Sequence, residues 1–592
     1  MDLQFVSVSE LLTNHQLDDP KFSCLQSDPA RFRLLRVQPR ANLTYSIRKG
    51  PVVCDEDFDA KCRHALHLAR QEYANLVMFP EYCISYKLLE EIVCGKDEGI
   101  WPENDSLWCL PCQAIPSKDF RLLLDKLDGY PDVIVLGKNC NYRPNHFINA
   151  LFYCFVTMQN GNRKLVLLPQ LKLHPMSDRS YLCEGNGLSI GNVIYYFKGE
   201  EISLLSLICA DVFHEEVSID KFFCETKTVS LLILHPQLNA KPREDAFCHI
   251  RREMMDRNSA CTYIACNWAA ETVVFPEADA DDGGNKISIP LSWSCIYQKY
   301  NKNANPEQIV SKMKSLQLNL QKGMCVGIAS VRRTLVWITD SCECLHILEV
   351  AAPYSTNYAA ANDYDPLRAD ERCVFSTSMA CWEPAQYSFA IEERIKETED
   401  LSHLVQVLDE HWNSFPLNTP NKYALDHFFA LVACREYGAF ELDGDKETLH
   451  SWSLLLDKND AERAEKELSR FVHLIHSLKN HLPPHLHSLR DAWEFTYLPQ
   501  SNGLPPANLK ERSQNGMRLI VAYANTQGEA KAYLKHLCNQ FLPESKDKAG
   551  RYICIFYPTL SSTEVGILPK PQNHITDGNE FKTDERITDG GS

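Results

Sequence analysis

The sequence lacks any apolar run able to span a bilayer: the longest, residues 150–158, is far short of the roughly 20 residues a membrane helix needs. After Met1-Asp2-Leu3-Gln4 there is no basic stretch followed by an apolar one, so a cytoplasmic protein, neither exported nor membrane-spanning, is expected. Positive charge is also scarce. Lys and Arg number 61 against 78 Asp and Glu, a formal net charge of -17, which disfavours direct binding of nucleic acid or acidic lipid and favours an uncharged or cationic small ligand. Complete metal patterns are missing too: Cys109 with Cys112 and Cys342 with Cys344 have no well-spaced second half. The acidic loop at 279–282 lacks calcium-loop spacing. No metal and no cofactor are expected.

What is present is an ordinary globular composition. Hydrophobic residues make up 44% and charged residues 23% of 592 residues, a length that calls for two or more domains. The 24 cysteines are scattered rather than clustered, the pattern of reduced thiols and not of a disulfide framework.

Residues 33–39 read as a strand, and 57–74 as a helix with Phe58, Cys62, Ala65, Ala69 and Tyr73 on one face. Short apolar strands follow at 76–79, 133–137, 150–157, 164–168, 202–208 and 231–234, then a helix over 244–258 and a strand at 263–266. This alternation predicts a buried α/β sheet, and strand-rich residues 287–350 close the domain near 360. Residues 1–30 are expected to be an N-terminal extension. Leu401, Leu404, Val405, Leu408 and Trp412 recur at helical spacing, so 385–515 reads as a mainly α-helical module. A small α/β unit is expected at 516–560, and the Pro-, Gly-, Asn- and Asp-containing residues 561–592 as a disordered tail.

Three reactive side chains stand at the carboxyl ends of predicted strands, where open α/β sheets place their ligands. They are Glu81 after Leu76-Val77-Met78-Phe79-Pro80, Lys172 after Leu167-Leu168-Pro169-Gln170-Leu171, and Cys209 after Leu204-Leu205-Ser206-Leu207-Ile208. A carboxylate can take a thiol proton, a thiolate can attack a carbonyl or nitrile carbon, and an ammonium can steady the developing oxyanion. Each residue alone is more often structural; the three together suggest acyl transfer.

In this order and company the sequence resembles the nitrilase, or carbon–nitrogen hydrolase, superfamily over residues 31–350. Phe79-Pro80-Glu81, Lys172-Leu173-His174 and Ile208-Cys209-Ala210-Asp211 are similar to its three motifs, with Gln38, Gly137, Asn149 and Asn267 as agreeing flanks. The resemblance implies a four-layer αββα sandwich. It also implies a thiol-dependent, amidase-like hydrolase of a non-peptide C–N bond, with Glu81, Lys172 and Cys209 as the triad and the backbone of Ala210 as oxyanion donor. The expected substrates are small amides, ureido compounds or nitriles, and a homo-oligomer is expected. Asp178, seven residues before Gly185, takes the place of the family's second glutamate, with Glu184 as the competing candidate. Ala210 stands where an aromatic is common, which alters pocket shape more than mechanism. His174, His235 and Asn267 are candidates for the pocket rim, and Cys209 is expected to be the single hyper-reactive thiol. The alternative is a catalytically altered scaffold or effector subunit that binds a protein partner through its C-terminal module, as in bacterial antiviral systems.

Overall fold

The computed structural model describes residues 2–277 apart from 27–30, 96–99, 139–141, 177–181, 241–244 and 271, most strands and their flanks between 287 and 385, and separate stretches from 428 to 569. The chain divides into two units: residues 1–386 with 441–453, and the remainder.

The first unit is built on two large mixed sheets. One is ordered Cys381–Pro384, Leu367–Ser376, Cys344–Ala351, Arg31–Gln38, Leu76–Met78, Leu107–Pro111, Ala150–Gln159, Asn162–Leu171, Val133–Val135. The other runs from Gln4–Ser7 through Val193–Lys198, Ile202–Ser206, Ser230–Pro236, Cys261–Cys266, Cys295–Lys299 and Thr334–Thr339 to Met324–Ala329 and Asp445–Ser451. Alternation along the strands sends Leu34, Met78, Leu107, Leu151 and Leu168 of the first sheet into one apolar core with Leu204, Leu232, Ile264 and Trp337 of the second. The opposite faces of the first-sheet strands, through Leu35, Val77, Trp108 and Phe152, pack on Phe58–Gln71, Tyr86–Cys94 and Ser117–Asp128. These helices bury Leu66, Leu89 and Leu124 and leave their polar faces to water.

Within the expected N-terminal extension, 1–30, residues 4–25 pack into the first unit. Gln4–Ser7 pairs in parallel with Val193–Lys198, and Leu12, Phe22 and Leu25 enter the core between the sheets. Apolar residues spaced for burial at Val6, Val8, Leu11 and Leu12 are the physical reason. The 244–258 helix is shorter than its periodicity suggests: a 3-10 turn at Asp245–Cys248 leads into a helix at His249–Asp256.

A separate small sheet is made of Ile287–Ser288, Val273–Pro276, Asn42–Ser46 and Gly50–Val53. The Leu182–Gly187 helix packs close to it. A Cβ on Gly187 would stand 2.0 Å from the Ile47 carbonyl oxygen, so only glycine permits this approach.

In the second unit, Trp493–Leu498, Ala507–Glu511, Arg518–Tyr523, Ile553–Pro558 and Val565–Leu568 form one sheet. Arg518–Tyr523 and Ile553–Pro558 are parallel, and Gln527–Gln540 is the helix between them. The expected helical stretch 385–515 thus contains the strands Asp445–Ser451, Trp493–Leu498 and Ala507–Glu511, and the periodic residues 401–412 lie outside the described residues. The tail expected from 561 contains a strand, Val565–Leu568, paired antiparallel with Ile553–Pro558; residues 561–564 and 570–592 are not described. Among the described residues no helix is long and apolar enough to cross a membrane.

Candidate active site

Glu81 follows the central strand Leu76–Met78 and is almost fully buried. Its Oε1 accepts hydrogen bonds from Lys172 Nζ at 2.8 Å and Asn149 Nδ2 at 2.7 Å, and its Oε2 accepts the Leu238 N–H at 3.1 Å. The Trp268 indole N–H holds the backbone carbonyl of Glu81 at 2.8 Å. Every described partner of the carboxylate is a donor, so the geometry suits the ionised form. Burial nevertheless pushes the Glu81 carboxyl above its ordinary range, against the pull of Lys172. A group so placed is poised to accept a proton.

Lys172 is wholly buried just past Asn162–Leu171, its N–H bonded to the Asn149 carbonyl at 3.0 Å. Its Nζ also donates to Glu184 Oε1 at 2.8 Å and Oε2 at 2.7 Å. Although burial pulls the ammonium down, Glu184 and Glu81 outweigh it and hold Lys172 well above the usual lysine range. Glu184 is itself buried on Leu182–Gly187 and accepts the Tyr82 hydroxyl at 2.6 Å and the Met176 N–H at 2.7 Å. Two carboxylates around one ammonium leave a net negative charge out of water. Such an arrangement is costly to bury and is a poor stability device, which points to a functional reason for it.

The acid that the structure places beside Lys172 together with Glu81 is Glu184, the competing candidate; Asp178, favoured by its spacing from Gly185, lies outside the described residues. The helix at Leu182–Gly187 supplies the reason: it turns the side chain of residue 184 inward onto Nζ.

Cys209 follows the strand Ile202–Ser206 and opens the 3-10 turn Cys209–Phe213 with φ +43°, a left-handed conformation that costs a non-glycine residue on the order of 1 kcal/mol. Burial, then the negative charge of Glu81, push its thiol well above the usual cysteine range, opposed by Lys172 and by the Leu238 N–H. The same N–H thus lies against both Glu81 Oε2 and the thiol. A thiol held this high is not activated by its own surroundings, so any heightened reactivity of Cys209 would need a neighbouring base to take its proton.

Asp211, two residues on, ties the lysine and cysteine segments together. Its Oδ1 accepts the N–H groups of Leu173 at 2.7 Å and His174 at 3.1 Å, and its Oδ2 the N–H of Ile208 at 2.9 Å.

Glu81, Lys172, Glu184 and Cys209 line one cavity, walled by Tyr45, Pro51 and Val274 from the small sheet and by Tyr82, Met176, Leu238, Asn239 and Phe247. The three rim candidates, His174, His235 and Asn267, are not among the residues that line the cavity. Half-buried His174 makes an edge contact with Phe213. Asn267 braces Asn239, whose N–H it accepts at 3.1 Å and whose carbonyl it reaches at 2.9 Å. His235 Nε2 bonds the Cys209 carbonyl at 2.8 Å. The apolar wall residues went unnoticed because nothing local in the sequence distinguishes them from core; the Asn42–Ser46 and Gly50–Val53 hairpin was the available signal. Among the described residues, no group of three His, Cys, Asp or Glu could hold a metal ion.

No protein-family model matches the chain, and no curated protein is significantly similar to it. Two solved structures similar to it are nitrilase superfamily members. Nit3 of Saccharomyces cerevisiae, from branch 10 of that superfamily, is 12% identical over 46% of this chain and 86% of its own, with a TM-score of 0.24. XC1258 from Xanthomonas campestris, a CN-hydrolase superfamily protein with an arsenic adduct in its active site, is 12% identical over 40% of this chain and 76% of its own, with a TM-score of 0.23. These figures are too low to bear on function, which rests on the side-chain geometry.

Proposed function

We propose that this protein is a thiol-dependent hydrolase of a non-peptide carbon–nitrogen bond, most simply that of a small carboxamide. On this reading the two large sheets and their outer helices form a four-layer αββα sandwich. The observation that carries the proposal is the buried convergence of Glu81, Lys172 and Glu184 on a cavity that Cys209 also lines.

Glu81 takes the proton from Cys209 Sγ as the thiolate attacks the substrate carbon. The new C–S bond leaves the carbonyl electrons on oxygen, and Glu81 returns the proton to nitrogen as the C–N bond breaks, releasing ammonia or an amine. Water then gives a proton to Glu81, adds to the thioester, and expels the sulfur, which recovers that proton. Lys172 keeps Glu81 in place and offsets its charge through the cycle. Because its ammonium is already engaged by Glu81 Oε1 and both oxygens of Glu184, the hydrogen bond to the oxyanion falls chiefly to the Ala210 N–H.

The test is ammonia release from a panel of small neutral carboxamides, with peptide mapping for an acyl group on Cys209. Turnover by the wild type and none by Cys209→Ala supports the reading. Turnover that survives Cys209→Ala contradicts it.

A further inference from the structure

His235 is completely buried at the end of Ser230–Pro236, behind the nucleophile and outside the cavity wall. Its Nε2 lies 2.8 Å from the Cys209 carbonyl, an atom that can only accept, so Nε2 must carry the proton. The other ring nitrogen agrees: Nδ1 faces the Tyr263 hydroxyl and, at 3.0 Å, Gln237 Nε2, both able to donate. Arg251 Nη1 stands 3.5 Å from the Tyr263 hydroxyl, with the guanidinium over the Tyr263 ring, and so orients that hydroxyl away from itself and toward the imidazole. The result is a neutral imidazole locked as a donor to one backbone carbonyl.

That carbonyl belongs to the peptide joining Cys209 to Ala210. The bond is not among the cis peptides, and in a planar trans unit the N–H points opposite to the C=O. A donor that holds the Cys209 carbonyl from behind therefore presents the Ala210 N–H to the front, where the cavity lies. It also polarises the peptide, which strengthens that N–H as a donor. Resting on the hydrolase reading above, we propose that His235 is a positioning residue that builds the oxyanion hole: it fixes the Cys209–Ala210 peptide so that the Ala210 N–H meets the substrate oxygen. The left-handed φ of Cys209 is the conformation this hydrogen bond secures.

The experiment compares two reactions of the same thiol in the full chain. Acylation by p-nitrophenyl acetate passes through a tetrahedral oxyanion; alkylation by iodoacetamide does not. Both are followed at the Cys209 peptide, because exposed Cys54, Cys94 and Cys224 also react. His235→Leu is expected to slow acylation about 100-fold, as loss of an oxyanion donor does, and to leave alkylation within about 3-fold of wild type, as the loss of an interaction made only in the transition state requires. His235→Gln, whose amide reaches about as far as Nε2, should restore most of the acylation rate. His235→Asn is polar but too short, and should behave as His235→Leu if that variant does not fold.

Tyr263→Phe removes the hydroxyl that fixes the tautomer and should show a smaller selective loss. Acylation and alkylation falling together, or neither falling, would leave His235 a packing residue and overturn the inference. A wild type whose Cys209 alkylates but does not acylate would overturn the hydrolase reading, and the inference with it.

Discussion

Both carboxylate oxygens of Glu184 rest on the ammonium of Lys172, at 2.8 and 2.7 Å, while the far side of that ammonium holds Glu81 at 2.8 Å. Lys172 is thus a clamp between two acids. Glu184→Gln keeps the size of the side chain but weakens the clamp. It should slow Cys209 acylation by about 10-fold or more with little change in folding. Glu184→Ala should in addition lower the unfolding free energy by about 2 kcal/mol, because the Tyr82 hydroxyl and Met176 N–H lose their acceptor. Acylation kinetics and urea melts of the two variants measure both effects.

Lys172→Ala leaves two buried carboxylates facing each other and should cost about 3–5 kcal/mol at neutral pH. The sign with pH follows from Glu81, whose carboxyl is already raised by burial. A carboxyl with a folded pKa above its unfolded one loses stability as pH rises from the unfolded value through the folded one. Removing the cation widens that gap, so the variant should regain stability relative to wild type as pH falls toward 4. Urea unfolding of both proteins across this range checks it; a difference independent of pH would contradict it.

His235 has the opposite signature. Burial lowers its pKa to about 3, well below the 6.5 of a free imidazole. Between those values the unfolded chain binds a proton that the folded protein does not, so the group's contribution is present above pH 6.5 and is lost as pH falls toward 3. The wild type should therefore lose more stability than His235→Gln between pH 6.5 and about 4, read from paired urea titrations. Equal losses would mean that His235 is protonated in the folded protein.

The cavity wall should set which acyl groups enter. Val274→Ala removes two methyl groups from the small sheet beside the thiol. It should raise Cys209 acylation by p-nitrophenyl hexanoate relative to the acetate by about 10-fold, at a folding cost of about 1 kcal/mol. An unchanged ratio of the two esters would place the acyl group elsewhere.

The central strands were legible because they are short, continuous and apolar: Leu76–Met78, Ile202–Ser206 and Ser230–Pro236 lie where the runs in the sequence put them. The ends of Leu76–Met78, Asn162–Leu171 and Ile202–Ser206 drew attention to Glu81, Lys172 and Cys209 for the same reason, since a lone reactive side chain after such a run is conspicuous. Leu107–Pro111 was missed because Pro111 and Cys112 break the pattern, and Gln4–Ser7 because a lone four-residue strand has no period to read. The place of Glu184 was less legible, because it depends on the short helix Leu182–Gly187 that carries its side chain to Nζ, which a spacing to Gly185 does not reveal; Asp178 lies outside the described residues. His235 was visible as a residue but not as a role, because its partner is a backbone carbonyl 26 positions away.

The central claim is that Glu81 activates Cys209 by taking its proton. The rate at which iodoacetamide alkylates Cys209 at pH 7 in wild type and in Glu81→Gln tests it most directly, because two physical effects predict opposite signs. The negative charge of Glu81 raises the thiol pKa, so through charge alone its removal would make Cys209 more reactive. If Glu81 is the base, its removal leaves a buried thiol with nowhere to send its proton. The account predicts that Glu81→Gln alkylates about 100-fold more slowly than wild type. Equal or faster alkylation would contradict it.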